Sequence, residues 1–483
     1  MAWTAGLLAL SACGPRPPKP WNADFPLLGT NSSPRAADLN GDGVLDLVIG
    51  AGLNEFQASE SAVLAVDGAS GELLWQAPGI DQVVGSAAFI DISRDGTPDV
   101  VIGGRKCQLM ALDGRSGRQL WRYEVQGQGY TPAGLARFNF YDAQRIPDQD
   151  GDGLDDLLTV NGGNVHAPPR DTASRYPGVL LILSSATGRI LAADTMPDGK
   201  ESYLSPLVFD FGSGLTVLFG TGGETVGGSL YAVPLSALRA GSIQGAERLL
   251  SETGHGFVAP PALADLNGDG TPEIIVNSHA ARLSAYDFRS RRLLWQTQAV
   301  AGAEASNGVA VGRFTGSGTP GCFALYSLGA WPDNAGTVQV LIDGASGAVV
   351  LQDSIGCTGF STPLAADLDG DGLDEALVSV NEYVCGARTP QSAHRLLAYS
   401  FREGSPRDLI PPLPGKNVSS TPWLGDLDGD GRLNLVYCVQ ANTTRLHEFF
   451  GLRLAQQPLE TPAQPPPAWG AYMGSRGDGV YRP

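Results

Sequence analysis

Asp38-Leu-Asn-Gly-Asp-Gly-Val-Leu-Asp46 is the first of six copies of one nine-residue pattern. Five copies follow Asp-x-(Asp/Asn/Ser)-x-Asp-Gly-x-x-(Asp/Glu), and the sixth differs only at its last position, Asn434. Oxygen-bearing side chains at alternate positions, followed by a glycine that permits a sharp turn, suit a hard cation such as Ca2+. Because the pattern returns along most of the chain, it indicates a repeated architecture as well as a bound ion.

The spacing of the pattern gives the number of units. The copies begin at Asp38, Asp91, Asp148, Asp265, Asp367 and Asp426. Two of the gaps are about double length, and each contains a degenerate copy, one around Asp210 and one around Arg313. The sequence therefore contains eight units.

Each unit has the same segments in the same order. A small-residue segment with proline precedes the loop, as in Ser33-Pro-Arg-Ala-Ala-Asp38, and a run of β-formers follows it, as in Leu47-Val-Ile-Gly50. A strand–turn–strand segment comes next, as in Val63-Leu-Ala-Val-Asp-Gly-Ala-Ser-Gly-Glu-Leu-Leu-Trp75, with Asp-Gly-x-Ser-Gly as the hairpin turn. Units of about four strands predict an all-β fold, a β-propeller of about eight four-stranded blades, with seven blades as the alternative. A β-solenoid fits less well because its repeats are much shorter.

Two family resemblances meet in each unit. The Asp-rich loop followed by a strand resembles the FG-GAP, or VCBS-type, repeat of the integrin α-subunit propeller. The segment that ends in Trp75, Trp121 or Trp295 resembles the blade repeat of the pyrroloquinoline-quinone (PQQ) enzymes. The latter repeat also occurs in non-catalytic relatives, such as the propeller lipoprotein of the outer-membrane barrel-assembly machinery.

The FG-GAP resemblance implies Ca2+ bound by side chains at positions 1, 3, 5 and 9 and by the carbonyl of position 7. The implied side-chain ligands are Asp38, Asn40, Asp42 and Asp46; Asp91, Ser93, Asp95 and Asp99; Asp148, Asp150, Asp152 and Asp156; Asp265, Asn267, Asp269 and Glu273; Asp367, Asp369, Asp371 and Glu375; and Asp426, Asp428, Asp430 and Asn434. Ser93 and Asn434 depart from the strongest pattern, so we expect the second and sixth sites to be weaker. We expect several structural ions, because crowded carboxylates repel each other until a cation neutralises them.

The first residues resemble a bacterial lipoprotein signal. A short apolar run in residues 1–13 ends in Leu10-Ser11-Ala12-Cys13, which matches the lipobox, so the resemblance implies lipidation of Cys13. Gly14 follows the cysteine, which by analogy with known sorting rules favours the outer membrane. We therefore expect a cell-envelope protein, periplasmic or surface-exposed, attached to the membrane through a lipid anchor only.

The rest of the chain divides into three parts. Residues 14–24 are a Pro-rich spacer and residues 25–460 the propeller. Residues 461–483 are a linker and a C-terminal segment whose Trp469-Gly-Ala-Tyr resembles the segment that opens many such propellers. This resemblance implies that a strand from one terminus closes the ring.

The charge and the cysteine spacing argue against nucleic acid as a partner and against a zinc site. The net charge of −18 without a basic stripe disfavours nucleic acid. No Cys-x-x-Cys occurs among Cys107, Cys322, Cys357, Cys385 and Cys438, which argues against a zinc site. An exported protein can hold disulfides, and Cys357 with Cys385, which flank one repeat, are the predicted pair.

Catalysis finds little support in the sequence. The five histidines are scattered, and neither His-x-x-x-His nor Gly-x-Ser-x-Gly occurs, although a central channel could bring distant residues together. A PQQ cofactor is not expected, because the resemblance covers the scaffold and no vicinal Cys-Cys occurs.

The variable loops are better functional candidates. Residues 51–60, 161–176, 328–334 and 381–391 are rich in aromatic, polar and glycine residues. In the related integrin propeller such loops lie on the ligand-binding face, opposite the ion loops. We therefore expect a calcium-stabilised scaffold that binds a protein or a glycan. The alternatives are an outer-membrane assembly component, or an enzyme, a quinoprotein or a polysaccharide lyase, with its site in the channel.

Overall fold

The protein is described by a computed structural model that covers residues 19–168, 171–330, 334–382, 392–402, 404–442 and 448–483. Eight antiparallel sheets form the blades of a β-propeller. The all-β fold and the count of eight blades are confirmed, and the seven-blade alternative is wrong. Both degenerate copies of the loop lie in complete blades, the fourth and the sixth.

Blades 1 to 4 follow each other along the chain. Blade 1 contains β2 (Arg35–Ala37), β3 (Asp46–Gly50), β4 (Ser59–Val66) and β5 (Leu73–Gly79); blade 2 contains β6 (Ala88–Ile90), β7 (Asp99–Gly104), β8 (Gln108–Leu112) and β9 (Gln119–Arg122). Blade 3 contains β10 (Asn139–Phe140), β11 (Gln144–Ile146), β12 (Asp156–Gly162), β13 (Val179–Leu183) and β14 (Ile190–Thr195); blade 4 contains β15 (Leu207–Asp210), β16 (Leu215–Gly220), β17 (Gly228–Pro234) and β18 (Glu247–Glu252). In blade 3, β10 and β11 are two halves of an interrupted first strand, since both pair with β12.

Blades 5 to 8 complete the ring. Blade 5 contains β19 (Ala262–Ala264), β20 (Glu273–Ser278), β21 (Arg282–Asp287) and β22 (Arg292–Thr297); blade 6 contains β23 (Ala303–Glu304), β24 (Ala310–Gly312), β25 (Gly321–Leu328), β26 (Gly336–Ile342) and β27 (Val349–Asp353). Blade 7 contains β28 (Leu364–Ala366), β29 (Glu375–Glu382), β30 (Ala393–Tyr399), β31 (Arg407–Asp408) and β32 (Leu413–Pro414); blade 8 contains β33 (Trp423–Gly425), β34 (Arg432–Gln440), β35 (Leu452–Pro462) and β1 (Trp21–Phe25). Two short helices, α1 (Pro132–Leu135) and α2 (Leu235–Arg239), lie in connections.

The second strand of each blade is buried on both faces, because neighbouring blades cover it. Every residue of β3, β7 and β12 is buried, which explains their continuous Val, Ile and Leu content instead of an alternating pattern. The first strands are short and rich in alanine, as at Ala262–Ala264 and Leu364–Ala366. Small side chains suit the crowded inner edge where eight blades converge.

Each tryptophan at the end of an outer strand joins two blades. The indole Nε1 of Trp75 in blade 1 donates to the carbonyl oxygen of Gly114 in blade 2 at 2.7 Å. Its ring covers Gly117, where an added Cβ would lie 2.6 Å from the indole. The same hydrogen bond joins Trp121 to Ser185, Trp295 to Gly344 and Trp21 to Gly68. We call this contact the tryptophan joint.

Trp21 shows how the ring closes. It lies on β1, which pairs with β35 as the outermost strand of blade 8, and its joint reaches the first hairpin turn of blade 1. The propeller therefore begins inside residues 14–24, which we predicted as a spacer. The sequence comparison missed Trp21 because it lies outside the repeat that ends in Trp75, Trp121 and Trp295.

We predict that Gly117→Ala destabilises the protein by about 2–4 kcal/mol, because Gly117 has a φ of 68° and no room for a Cβ beneath Trp75. The matched control is Gly245→Ala, since a Cβ at Gly245 meets no atom within 4 Å. Denaturant unfolding of both variants checks this. Equal unfolding midpoints would contradict the role assigned to the joint.

The C-terminal segment, residues 467–481, occupies the centre of the ring instead of closing it. The backbone N–H groups of Leu263, Ala365 and Leu424, on the first strands of blades 5, 7 and 8, donate to carbonyl oxygens of this segment at 2.7–3.0 Å. The side chain of Gln144 in blade 3 donates to the carbonyl of Gly477. We call residues 467–481 the channel plug. β1 is the outermost strand of blade 8, so the N-terminal strand, and not the C-terminal segment, completes the ring.

We predict that Trp469→Ala costs about 3–5 kcal/mol of unfolding free energy, because Trp469 is only 2% exposed and packs among buried residues of blades 5 to 7. Phe450→Ala, at a side chain that is 63% exposed, is the control and should change the unfolding free energy by less than about 0.5 kcal/mol. Thermal and denaturant unfolding measure both. A wild-type unfolding curve for Trp469→Ala would mean that the plug adds nothing to the fold.

Candidate functional site

Strand direction separates the loops onto two faces of the ring. The ion loops connect first and second strands, and the Asp-Gly-x-Ser-Gly turns connect third and fourth strands, so both lie on one face. A hydrogen bond of 3.1 Å from Gly68 N–H to Asp46 Oδ1 ties the two together in blade 1. The variable loops connect second and third strands and lie on the opposite face, as the integrin resemblance implied.

The ion loops share one network of hydrogen bonds. In the first loop the carboxylate of Asp38 accepts from the N–H groups of Gly41 and Gly43, and Asp42 accepts from Val44 N–H at 2.8 Å. The other five loops repeat the bond from the residue at position 7 to the acid at position 5 or the bond from position 6 to position 1. This network gathers the acids of positions 1 and 5 on one concave turn.

The acid at position 9 has a second role. Asp46 is fully buried and accepts from Leu39 N–H at 2.9 Å and from Gly68 N–H, so it holds the ion loop against the hairpin turn. Burial raises the pKa of Asp46 to about 6. In the fifth loop burial, together with the neighbouring charges of Asp369 and Asp367, raises the pKa of Glu375 to about 7. A cation within the loop would relieve this repulsion.

Three loops bring three acids together. Carboxylate oxygens lie within 4.8 Å of one another in the groups Asp148, Asp150 and Asp156; Asp367, Asp369 and Asp371; and Asp426, Asp428 and Asp430. These are the loops with an acid at position 3; the other loops have Asn40, Ser93 or Asn267 there.

The sixth loop brings three acids together although its last position is Asn434. Buried oxygens of Asp426 and Asp428 have no hydrogen-bond partner among the described residues. Asn434 keeps the hydrogen bond that the position-9 acid makes in the other loops, since its Oδ1 accepts from Leu427 N–H at 2.8 Å. The departure that led us to expect a weak site therefore lies at the residue that anchors the loop, and the three converging acids are present.

The degenerate loops keep the turn with fewer acids. Asp210 alone accepts from Gly212 and Gly214 N–H in blade 4. In blade 6, Thr315 Oγ donates to Ser317 Oγ, and Arg313 N–H donates to Asp374 of the next blade. Both blades are complete, so a full set of acids is not required for the strands to pair.

We predict that Ca2+ raises the thermal midpoint of the wild-type protein and that Asp371→Asn with Asp430→Asn removes part of this gain. Each asparagine can still accept the backbone bond that Asp371 or Asp430 accepts now, at 2.8 Å, but it removes a charged ligand. Calorimetry should count about two fewer ions per chain.

The same variant distinguishes an ion site from a simple turn. In chelator, the double variant should unfold at or above the wild-type midpoint, because the hydrogen-bonded turn is kept and one repelling charge is removed from each of the two loops. An unchanged wild-type melting curve on adding chelator would contradict structural ions at these loops.

A funnel opens at the centre of the variable-loop face. It is a cavity of about 800 Å³, and its wall includes a residue from the segment before the first strand, or within it, of every blade. These residues are Ser33, Ser86, Asp142, Ser205, Val258, Asn307, Thr362 and Ser419. Tyr472 of the channel plug also lines it, so the plug forms part of the floor. The volume is within the range of ligand-binding cavities.

The funnel wall was only partly predictable. Asn54, Glu55 and Phe56, from the first variable loop, lie on its rim, as expected for a ligand-binding face. The segments before the first strands were interpreted only as scaffold. A Ser-Pro or Thr-Pro pair precedes the first strand of blades 1, 4, 7 and 8, and that recurrence was the available signal.

The histidines do not assemble a recognisable catalytic group. Ser379 Oγ lies 2.8 Å from His394 Nε2, but both residues are buried and His394 Nδ1 has no partner among the described residues. Burial lowers the pKa of His394 to about 4. His255 and His279 stack with ring centroids 5.4 Å apart. Neither pair is among the described residues that line the funnel.

The described residues include only part of the predicted cysteine sites and variable loops. Cys357 forms a disulfide, whereas Cys107, Cys322 and Cys438 are free thiols. The predicted partner, Cys385, and the lipidation residue, Cys13, lie outside the described residues, as do parts of the second, third and fourth variable loops. No helix in the described ranges is long and apolar enough to span a membrane.

Comparison with known proteins supports the PQQ-like part of the prediction. A family model described as outer membrane protein assembly factor BamB matches residues 38–230, which is less than half of the chain. The PQQ-like propeller repeat is thereby confirmed. No curated protein matches the chain.

Solved structures share the fold at low sequence identity. BamB from Moraxella catarrhalis has 12% identity and a TM-score of 0.51, with 90% of this chain and 98% of that chain covered. Quinohemoprotein alcohol dehydrogenase from Comamonas testosteroni has 12% identity and a TM-score of 0.54, with coverage of 90% and 76%. Saccharomyces cerevisiae Sqt1 has 10% identity and a TM-score of 0.55, with coverage of 91% and 98%. At these identities the likeness concerns the fold alone.

Proposed function

We propose that the protein is a calcium-stabilised interaction scaffold of the cell envelope that binds a partner protein at the central funnel. The observation that carries this proposal is the open cavity on the variable-loop face, whose wall draws residues from all eight blades and whose floor includes the protein's own C-terminal segment. A rigid ring with such a recess suits the capture of a protruding segment.

The rim of the funnel has the composition of a protein-binding surface. Phe56 is 45% exposed, stacks with His166 at a centroid distance of 5.0 Å, and lies under Lys106 Nζ at 5.4 Å. Exposed aromatic side chains that are already ordered by neighbours contribute strongly to binding, because they lose little conformational entropy.

The ion loops and the lipid anchor remain part of the proposal. FG-GAP-type loops would hold Ca2+ through the converging acids described above, and their role would be to stabilise the face opposite the funnel. Lipidation of Cys13 would attach the ring to the outer membrane through the spacer that precedes Trp21.

An outer-membrane assembly role is the second candidate. It is favoured by the family-model match to residues 38–230 and by the shared propeller fold of BamB. In this role the partner would be a component of an assembly machinery, and it would bind at the same funnel on the variable-loop face. Protein binding by the variable-loop face is common to both candidates.

A quinoprotein activity fits the funnel poorly. Pyrroloquinoline quinone is a tricarboxylate, whereas the described lining contains Glu55, Asp142, Glu224 and Glu448 against one base, Arg105. Arg105 already pairs with Glu55 at 2.6 Å. An anionic cofactor would therefore meet an acidic wall.

We predict that immobilised protein captures a defined partner from native envelope extract and that Phe56→Ala reduces capture by about tenfold, as expected for loss of a rim aromatic. Val350→Ala, at a side chain 52% exposed on the outer strand of blade 6, is the matched control and should leave capture unchanged. Quantitative mass spectrometry, with and without Ca2+, measures both. Equal capture by the two variants would contradict binding at the funnel.

A further inference from the structure

One position of the repeat carries a charge in a single blade. The residue two places before the first strand, or before its second half where it is interrupted, is Ser33, Ser86, Ser205, Pro260, Gly308, Thr362 and Thr421 in seven blades. In blade 3 it is Asp142, between β10 and β11. A scaffold position that is small and uncharged elsewhere does not need a carboxylate for the fold.

Asp142 is incompletely paired. It is 8% exposed, its Oδ1 accepts from Ser86 N–H at 2.8 Å, and its Oδ2 has no hydrogen-bond partner among the described residues. Burial raises the pKa of Asp142, while the charge of the Arg35 guanidinium lowers it. Within the described part of the chain, these two groups do not form a salt bridge. An unpaired buried carboxylate is costly, so it marks a place where a donor is expected.

Other acceptors on the funnel wall also lack donors. Gln82 is 3% exposed, and its amide nitrogen donates to Leu53 O at 2.9 Å, which leaves Oε1 without a partner. Thr362 Oγ has none either. The described wall therefore combines buried acceptors with an excess of acids over bases, and its open side faces the variable loops.

We propose that the funnel receives a lysine or arginine side chain of the partner protein, with its cationic group at Asp142. This inference rests on the proposed function and names the chemistry of the partner. A guanidinium or ammonium group brings only donors, which the unpaired acceptors require, and its charge complements the acidic wall. The six aromatic residues on the wall, among them Tyr141, Tyr203 and Phe360, would contact the aliphatic part of the side chain.

The test uses a fluorescein-labelled hexa-arginine peptide with a hexa-citrulline peptide as the uncharged match. Fluorescence anisotropy at about 0.15 M salt should show binding of the arginine peptide only, because bulk attraction is screened there. Asp142→Asn should raise the Kd about tenfold or more, the range expected for one charge-assisted hydrogen-bonded contact. Glu72→Gln, at an exposed acid beside the hairpin turn on the opposite face of the ring, removes the same charge and should change the Kd less than about twofold.

The unfolding curve of Asp142→Asn and a second variant, Glu224→Gln, distinguish lost binding from misfolding. Asn at position 142 can still accept from Ser86 N–H, so the unfolding curve should stay close to wild type. Glu224→Gln changes an exposed side chain in the funnel and leaves Asp142 in place. It should weaken binding of the arginine peptide severalfold. Equal effects of Asp142→Asn and Glu72→Gln, or equal binding of the citrulline peptide, would overturn the inference.

The outcome separates this inference from the function it rests on. If Asp142→Asn still captures the envelope partner at the wild-type level and hexa-arginine does not bind, the cationic recognition is wrong and the scaffold function stands. If Phe56→Ala and Asp142→Asn both leave capture unchanged, both proposals fail. Loss of partner and of peptide in Asp142→Asn alone, with a normal unfolding curve, supports both.

Discussion

In blades 1 to 3 one residue of the hairpin turn is hydrogen-bonded from two directions, and this residue fixes each blade against its neighbour. In blade 1 the N–H of Gly68 donates to the buried Asp46 of its own ion loop, and the carbonyl oxygen of Gly68 accepts from Trp21 of the preceding blade. Gly114 is held in the same way by Asp99 and Trp75. A propeller blade contacts only its neighbours, so the spacing of the ring is set wherever such joints connect one blade to the next.

The two hydrogen bonds on that residue are separable, as blade 6 shows. Gly344 still accepts from Trp295 at 2.7 Å, although the loop of its own blade has Thr315 and Ser317 where other loops have acids. The tryptophan joint therefore does not need a complete ion loop. An ion in a complete loop would stabilise its own blade, while the joint fixes the relation between blades. This division explains why acids can be lost from the repeat without loss of the blade count.

The sequence predicted what is local and missed what depends on closure. The number of blades followed from a period, and the turns followed from glycine and aspartate at fixed offsets, because these features are encoded within each unit. The roles of Trp21 and Trp469 were not predictable in this way, since each depends on contacts between one terminus and blades that are distant in the sequence. β1 completes blade 8, and the segment around Trp469 lies in the channel. Asp142 was missed because it lies in a segment defined by its small residues, and only alignment on the strands of the structure shows it as a departure.

The channel plug gives this departure its significance. Tyr472 contributes to the floor of the funnel, while Asp142 and Ser86 line both the funnel and a second cavity of about 450 Å³ on the side of the ion loops. The carboxylate therefore borders both cavities. In the proposed complex, Asp142 would select the partner side chain by charge and by length together, because a shorter or neutral side chain would leave the carboxylate unpaired. The repeated strands build the recess, and the one unit that breaks the repeat would supply this specificity.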